Sequence, residues 1–400
     1  MSADKGPAAR SVIPFLILSV LLFQAGGGIS GAVVPVRLAS DGYSATAAGL
    51  VSVCFHIGFL IGGFAGPSVI ARAGARNTLI LFSALAAVAS LGLFSWQTPV
   101  FWALMRLFLG LATGIYFTLI EAWLAERSLA SNRGAVFSAY MVVNRFTVAF
   151  AQGMIAWFDT HGLFIFAVSA AFLLIAPWPA AAWHATAPSV AGKAQGGIAA
   201  VARGAPAAAA GSLVHGLGTV ALSSLLPVHA IQSGLGASGS AAILIAVQAG
   251  AVVVQGIFGA LSDWMDRRLV IIIASVATAA SAAAAFLLPG LPWSLALANY
   301  AVLGGFAFVL YSLAAAHAND IARPEERLNW SSGMLLLWGI GAMGGPVTAS
   351  WLMDFFGSAA LFAHTALLYT GLALFILWRL TRRGPPERKP GEVPPGQLPG

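Results

Sequence analysis

Residues 99–122 read PVFWALMRLFLGLATGIYFTLIEA, an apolar run whose only charges are Arg106 and Glu121. A helix rises about 1.5 Å per residue, and a bilayer core about 30 Å thick needs about 20 apolar residues per crossing. This run is long enough to cross. Runs of the same kind are read at 12–36, 44–69, 77–96, 134–158, 162–184, 205–230, 238–262, 269–289, 292–316, 330–353 and 358–380. Hydrophobic residues make up 59% of the chain and charged residues 8%, too few charges to cover the surface of a water-soluble protein of this length. The expected fold is all-α: twelve transmembrane helices in two pseudo-symmetric six-helix bundles.

Charge placement orients the chain. Of 20 Lys and Arg, all but three fall on one face, the face that carries both termini. Arg37 falls on the other face, and Arg106 and Arg145 lie within crossings. By the positive-inside rule both termini are expected in the cytoplasm, with the chain multi-pass in the cell (inner) membrane. The net charge of +7 then marks a membrane face beside anionic lipid, and no nucleic-acid partner is expected. Arg10 ahead of an apolar stretch also suits a signal peptide, but no small-residue cleavage site follows, so the segment is read as a retained first crossing. A lone Cys54 excludes an intramolecular disulfide framework.

The expected organisation is a cytoplasmic N-terminus (1–11), an N-terminal bundle (12–184), a central cytoplasmic loop (185–204), a C-terminal bundle (205–380) and a Pro-rich, disordered tail (381–400). A slide of the chain on itself by 195 residues superposes Arg72 on Arg267, Gly110 on Gly305, Tyr116 on Tyr311, Asp159 on Asp354 and Gly162 on Gly357. In so biased a composition the matches alone are no more than chance, but each falls at the same topological position in its half. A six-plus-six duplication with parallel halves is a transporter architecture, its solute site between the halves near the midplane.

The loop before the ninth crossing reads Gly259-Ala-Leu-Ser262-Asp263-Trp264-Met265-Asp266-Arg267-Arg268. It resembles the G-x-x-x-D-R-x-G-R-R loop of the major facilitator superfamily at Gly259, Asp263, Arg267 and Arg268. Its first-half counterpart matches at Arg72, Gly74 and Arg76, with Ala71 and Pro67 where the family has Asp and Gly. Arg106-x-x-x-Gly110-x-x-x-Gly114 is similar to a pattern of proton-coupled members. Tyr116, Glu121-Ala-Trp123, Asn132-Arg133-Gly134, Tyr140-Met141, His317-Ala-Asn319-Asp320 and the Gly339–Pro346 run resemble the YcaD-like subfamily. The resemblance implies alternating access, with Arg72, Gly74, Arg76, Gly259, Asp263, Arg267, Arg268, His317, Asn319 and Asp320 gating the cytoplasmic side. Pro346 is expected to kink the eleventh crossing. The fifth crossing has no Gly-Pro, which sets the chain apart from the antiporters of that superfamily.

Arg106 and Arg145 both fall near the midplane, where a guanidinium costs at least about 2.5–3.5 kcal/mol and faces a cavity or a partner. No acid lies at their depth. They are read either as contacts to an anionic solute, with Gln24 and Gln152 beside them, or as structural groups bonded to carbonyls or amides such as Asn144. Glu121, His56 and His215 are candidate protonation sites; for Glu121 an ion pair with Arg127 or Arg133 is the competing reading, and for each histidine a hydrogen-bonded core role. No pair of histidines has metal-ligand spacing, and neither metal nor cofactor is expected. The absence of G-x-x-x-x-G-K-[ST], G-x-S-x-G and H-E-x-x-H leaves no nucleotide motor or hydrolase. The chain is thus read as a non-enzymatic secondary transporter of a small, amphipathic or weakly polar organic solute, proton-linked and monomeric. An organic-anion carrier using Arg106 and Arg145 is the alternative, and a non-transporting receptor or scaffold the other.

Overall fold

Helix boundaries follow from local chemistry. Thr98 accepts from the Phe101 N–H and Pro99 opens the next turn, so the first long segment quoted above begins at Pro99. Ser44 caps its helix by accepting from Ala47 N–H, and Asp266 does the same for the helix that starts at Arg267. Gly74 (φ +78°) and Gly357 (φ +87°) stand where the backbone takes the left-handed conformation that ends one helix.

The computed structural model describes residues 12–128, 133–181, 197–323 and 325–382. Its long helices are α1 (Ile13–Ser40), α2 (Ala45–Ala73), α3 (Ala75–Ser95), α4 (Pro99–Arg127), α5 (Arg133–Gly153), α6 (Leu163–Ala181), α7 (Pro206–Gln232), α8 (Gly236–Trp264), α9 (Arg267–Leu287), α10 (Trp293–Ile321), α11 (Arg327–Phe356) and α12 (Ala360–Arg382). Each falls on an expected crossing. Among the described residues 11 helices are long and apolar enough to span a bilayer. The exception is α5, which carries Tyr140, Asn144, Arg145 and Gln152 and packs against the other half of the molecule.

Several helices outrun the expected spans. α4 continues to Arg127, which leaves Glu121 inside the helix instead of at its end. The last part of the expected central loop is also helical (Ile198–Gly204); its flanking Gly197 and Gly204 sit against Asn329 and Trp330 of α11. α11 runs unbroken through Pro346. Asn132 of the loop before α5, Lys193 of the central loop and the tail beyond Arg382 lie outside the described residues, as do the Arg133 and Asp263 side chains.

The halves repeat one packing scheme. In the first, α2 packs on α4, α1 on α5 and α6, and α3 on α6; in the second, α8 packs on α10, α7 on α11 and α12, and α9 on α12. The 195-residue offset holds atom by atom at one contact. A Cβ on Gly110 would strike the Phe55 carbonyl, and a Cβ on Gly305 would meet the Gly250 carbonyl at 2.9 Å. Small residues here let each helix pair approach backbone to backbone. Between the halves, α2 packs on α11, α5 on α8, and α1 and α2 on α7. Ser52 and Ser224 hydroxyls share a hydrogen bond of 2.5 Å across this seam.

Candidate functional site

A cavity of about 480 Å³ lies between the halves. Four helical positions of α4 build one wall: Gly114, Phe117, Thr118 and Glu121, whose i, i+3, i+4, i+7 spacing puts them on a single face. Phe59, Leu60, Gly63 and Phe64 of α2 flank it, and Met141 comes from α5; His215, Tyr311, Leu335 and Trp338 line it from the second half. Five of these thirteen side chains are aromatic carbons with or without a polar tip, and one, Glu121, is a carboxylate.

Neighbouring polar groups hold these residues. Tyr140 Oη donates to Glu121 Oε1 at 3.3 Å, and Thr118 Oγ1 donates to its own helix at the Gly114 carbonyl. The Ala307 carbonyl lies 3.1 Å from His215 Nδ1, which fixes that nitrogen as the N–H bearer in the neutral ring. The Tyr311 ring stands 5.6 Å from the His215 ring.

The residues expected to meet solute lie elsewhere. Arg106 is buried and stacks over Phe55 at 4.3 Å. Arg145 covers Phe308 at 4.5 Å and donates from Nη1 to Gln248 Oε1 at 3.3 Å. Gln24 Nε2 donates to Asn144 Oδ1 at 3.0 Å, a tie from α1 to α5. Gln152 Oε1 is buried with no hydrogen-bond partner. None of the four lines the cavity. The physical reason for the arginines is an aromatic face: where no acid stands at their depth, ring quadrupoles and an amide oxygen compensate for the lost water. His56 is also off the cavity, its Nδ1 2.9 Å from the Ser52 carbonyl and its ring 6.2 Å from Trp338. Of the three candidate protonation sites, Glu121 and His215 share the chamber. Phe59, Phe117, Met141, Tyr311 and Trp338 were missed by sequence reasoning, although the α4 spacing down to Glu121 carries a signal for one wall.

At the basic ends of α8–α10, Arg267 Nε pairs with Asp320 Oδ2 at 2.5 Å and Arg267 Nη1 donates to Ser262 Oγ at 2.9 Å. Arg268 grips Asp266 at 2.8 and 3.2 Å. His317 is buried and Asn319 exposed on the same helix end. Arg72, Gly74 and Arg76 are exposed at the α2–α3 turn, and Gly259 is exposed on α8. The ion pairs named here fall within the second half.

Residues 16–298 and 208–399 match the model of the Major Facilitator Superfamily. The chain belongs to this superfamily. It is 23% identical over 389 residues to an uncharacterized MFS-type transporter, YE1530, of Yersinia enterocolitica, covering 94% of this chain and 96% of that one. The crystal structure of the nucleoside transporter NupG superposes with a TM-score of 0.73 at 15% identity, covering 92% of this chain and 98% of the other. A D-xylose-proton symporter does so at 0.68 and 17%, with 92% and 96% covered. The protein is a multi-pass membrane protein and a secondary transporter, not an enzyme.

Proposed function

We propose that the protein is a proton-linked carrier of a small organic solute, YcaD-like within its superfamily, with Glu121 as the group that takes up and gives back the proton. The observation that carries this reading is Glu121 itself: among the described residues it is the one carboxylate lining the chamber between the two halves. Ionised and alone there, it is costly; protonated or paired, it is not. A solute and a proton therefore both act on the same charge. Both termini lie in the cytoplasm in this reading, the cavity opens toward that side of the inner membrane, and the gating residues named above pair across the halves only when that side closes. The carrier works as a monomer.

The test uses protein reconstituted in liposomes that enclose a pH-sensitive dye. Addition of a transported solute, found by screening a panel of organic cations, anions and neutral compounds, is expected to move protons with wild type. Glu121→Gln is expected to abolish the proton signal, and any solute movement that remains is expected to ignore the pH gradient. Solute movement that is electrically and chemically independent of protons, and unchanged in Glu121→Gln, would overturn the reading.

A further inference from the structure

We propose that the cavity selects an organic cation, a compact ammonium on an aromatic or branched apolar body, with Glu121 as its counter-charge. This rests on the reading of Glu121 as the titrating group and adds the charge and shape of the solute.

Three observations converge. First, among the described lining residues there is no Lys or Arg, and the one acid is Glu121. Tyr140, a neutral donor, holds it at 3.3 Å. Second, Phe59, Phe64, Phe117, Tyr311 and Trp338 ring the chamber. Aromatic faces attract a cation by their quadrupoles, most strongly when water is excluded, and this is how quaternary ammonium groups are recognised. Third, neither central guanidinium lines this cavity: Arg106 borders a separate, much smaller pocket beside Ser52 and Ser224, its buried Nε without a hydrogen-bond partner. Arg106 covers Phe55 and Arg145 covers Phe308. Arg145 approaches the chamber only behind Phe308, whose ring meets His215 edge-on at 6.2 Å. A volume of about 480 Å³ falls in the range of small-molecule sites.

The groups that face Glu121 are Tyr140 from α5, Tyr311 from α10 and His215 from α7, with uncharged Phe59 and Gly63 from α2 and Trp338 from α11. Cation and proton neutralise one carboxylate, so they exclude each other. Binding of the cation to the protonated protein must release a proton, and extra protons must weaken the cation.

The full-length protein in detergent is titrated with benzyltrimethylammonium, its uncharged isostere neopentylbenzene, and phenylacetate. Melting temperature and proton release into weakly buffered solution are both read. The cation is expected to raise the melting temperature of wild type at about pH 8 and to do so progressively less as the pH is lowered, because proton and cation compete for one carboxylate. Glu121→Gln is expected to weaken the cation at least about tenfold and to leave neopentylbenzene unchanged, since only the charged pairing is lost. Trp338→Leu is expected to weaken the cation several-fold more than the isostere, which separates the ring contribution from general packing. Equal stabilisation by cation and isostere, preference for phenylacetate, or a cation effect that survives Glu121→Gln would each overturn the proposal. If the cation fails while another solute still moves protons through Glu121, the solute class falls and the proton-linked reading stands. If the cation binds at Glu121 but its transport moves no proton, the reverse holds.

Discussion

The Asp354 carboxylate, near the end of α11, accepts the backbone N–H of Ala45 at 2.8 Å and, through its second oxygen, that of Thr46 at 2.9 Å. These are the first residues of α2, in the other half of the molecule. The opening N–H groups of a helix have no partner in their own helix and carry the positive end of its dipole. Ser44 takes one of them from within; Asp354 takes two from across the seam. Next to this clamp, a Cβ on Gly49 would meet the Pro346 carbonyl at 2.7 Å, so α2 and α11 touch backbone to backbone.

Removal of the clamp should therefore loosen the end of the molecule away from the basic face. Asp354→Ala is expected to cost about 0.5–2 kcal/mol of the closed arrangement, the range for loss of a helix cap. In a Cys54→Ala background, a cysteine placed at buried Ser350 should react with a maleimide several-fold faster when Asp354 is also changed. Equal rates would show that the carboxylate does not hold this end shut.

The glycine contact between α2 and α4 admits a sharper check. Gly110 faces a backbone carbonyl, which cannot swing aside as a side chain can. Gly110→Ala is expected to force the helices apart and to cost about 1–3 kcal/mol, as overpacking does. Gly259→Ala on α8 meets open space and gains helix propensity, so its melting temperature should stay level or rise slightly. Thermal unfolding of both variants, side by side in one detergent, reads the difference.

What the sequence could and could not say follows from the solvent. Apolar length and sparse charge located the spans, because lipid makes those demands on every crossing. The half-to-half offset placed Gly110 and Gly305 correctly, because the same close contact recurs. It could not say what Tyr116 and Tyr311 do. Tyr116 is fully buried and bonded to Ser19 Oγ at 2.6 Å, whereas Tyr311 lines the cavity. In a soluble helix a polar face would separate wall from core. Here most helices are apolar all round, so lipid-facing and cavity-facing positions look alike in the chain. The partners of Arg106 and Arg145 escaped for a related reason: a search for carboxylates at their depth passes over phenylalanine rings.

Asp266 lies outside the spans and gives a pH dependence. Burial by itself would raise its carboxyl pKa, but the Arg268 guanidinium and backbone N–H more than offset this, with the positive charge nearby, and hold it below the usual carboxylate range. A depressed pKa stabilises the fold above the unfolded-state value, and that stability disappears as pH falls through the folded-state value. Asp266→Asn keeps an oxygen for the cap and loses only the charge. Its deficit should be under about 1 kcal/mol at neutral pH, because the pair is partly exposed. The deficit should shrink to nothing as pH drops below the carboxylate range. Melting temperatures of both proteins from neutral to acid pH test this, and a deficit that persists in acid would assign it to packing.

Arg145 separates binding from movement. It reaches from α5 in the first half to Gln248 on α8 and Phe308 on α10 in the second, yet it does not line the cavity. Rocking of one half against the other must break or carry this contact, whereas a solute in the chamber need not touch it. Arg145→Gln loses the cation–π contact, worth about 0.5–2 kcal/mol by its degree of desolvation. Transport rate in liposomes is accordingly expected to change several-fold while the dissociation constant of the solute stays within about twofold. Arg145→Lys keeps a cation over Phe308 and should recover part of the rate. If the arginine instead contacted an anionic solute, the dissociation constant would rise in both variants and the rate at saturation would not, so one pair of measurements on each variant decides between a hinge contact and a ligand.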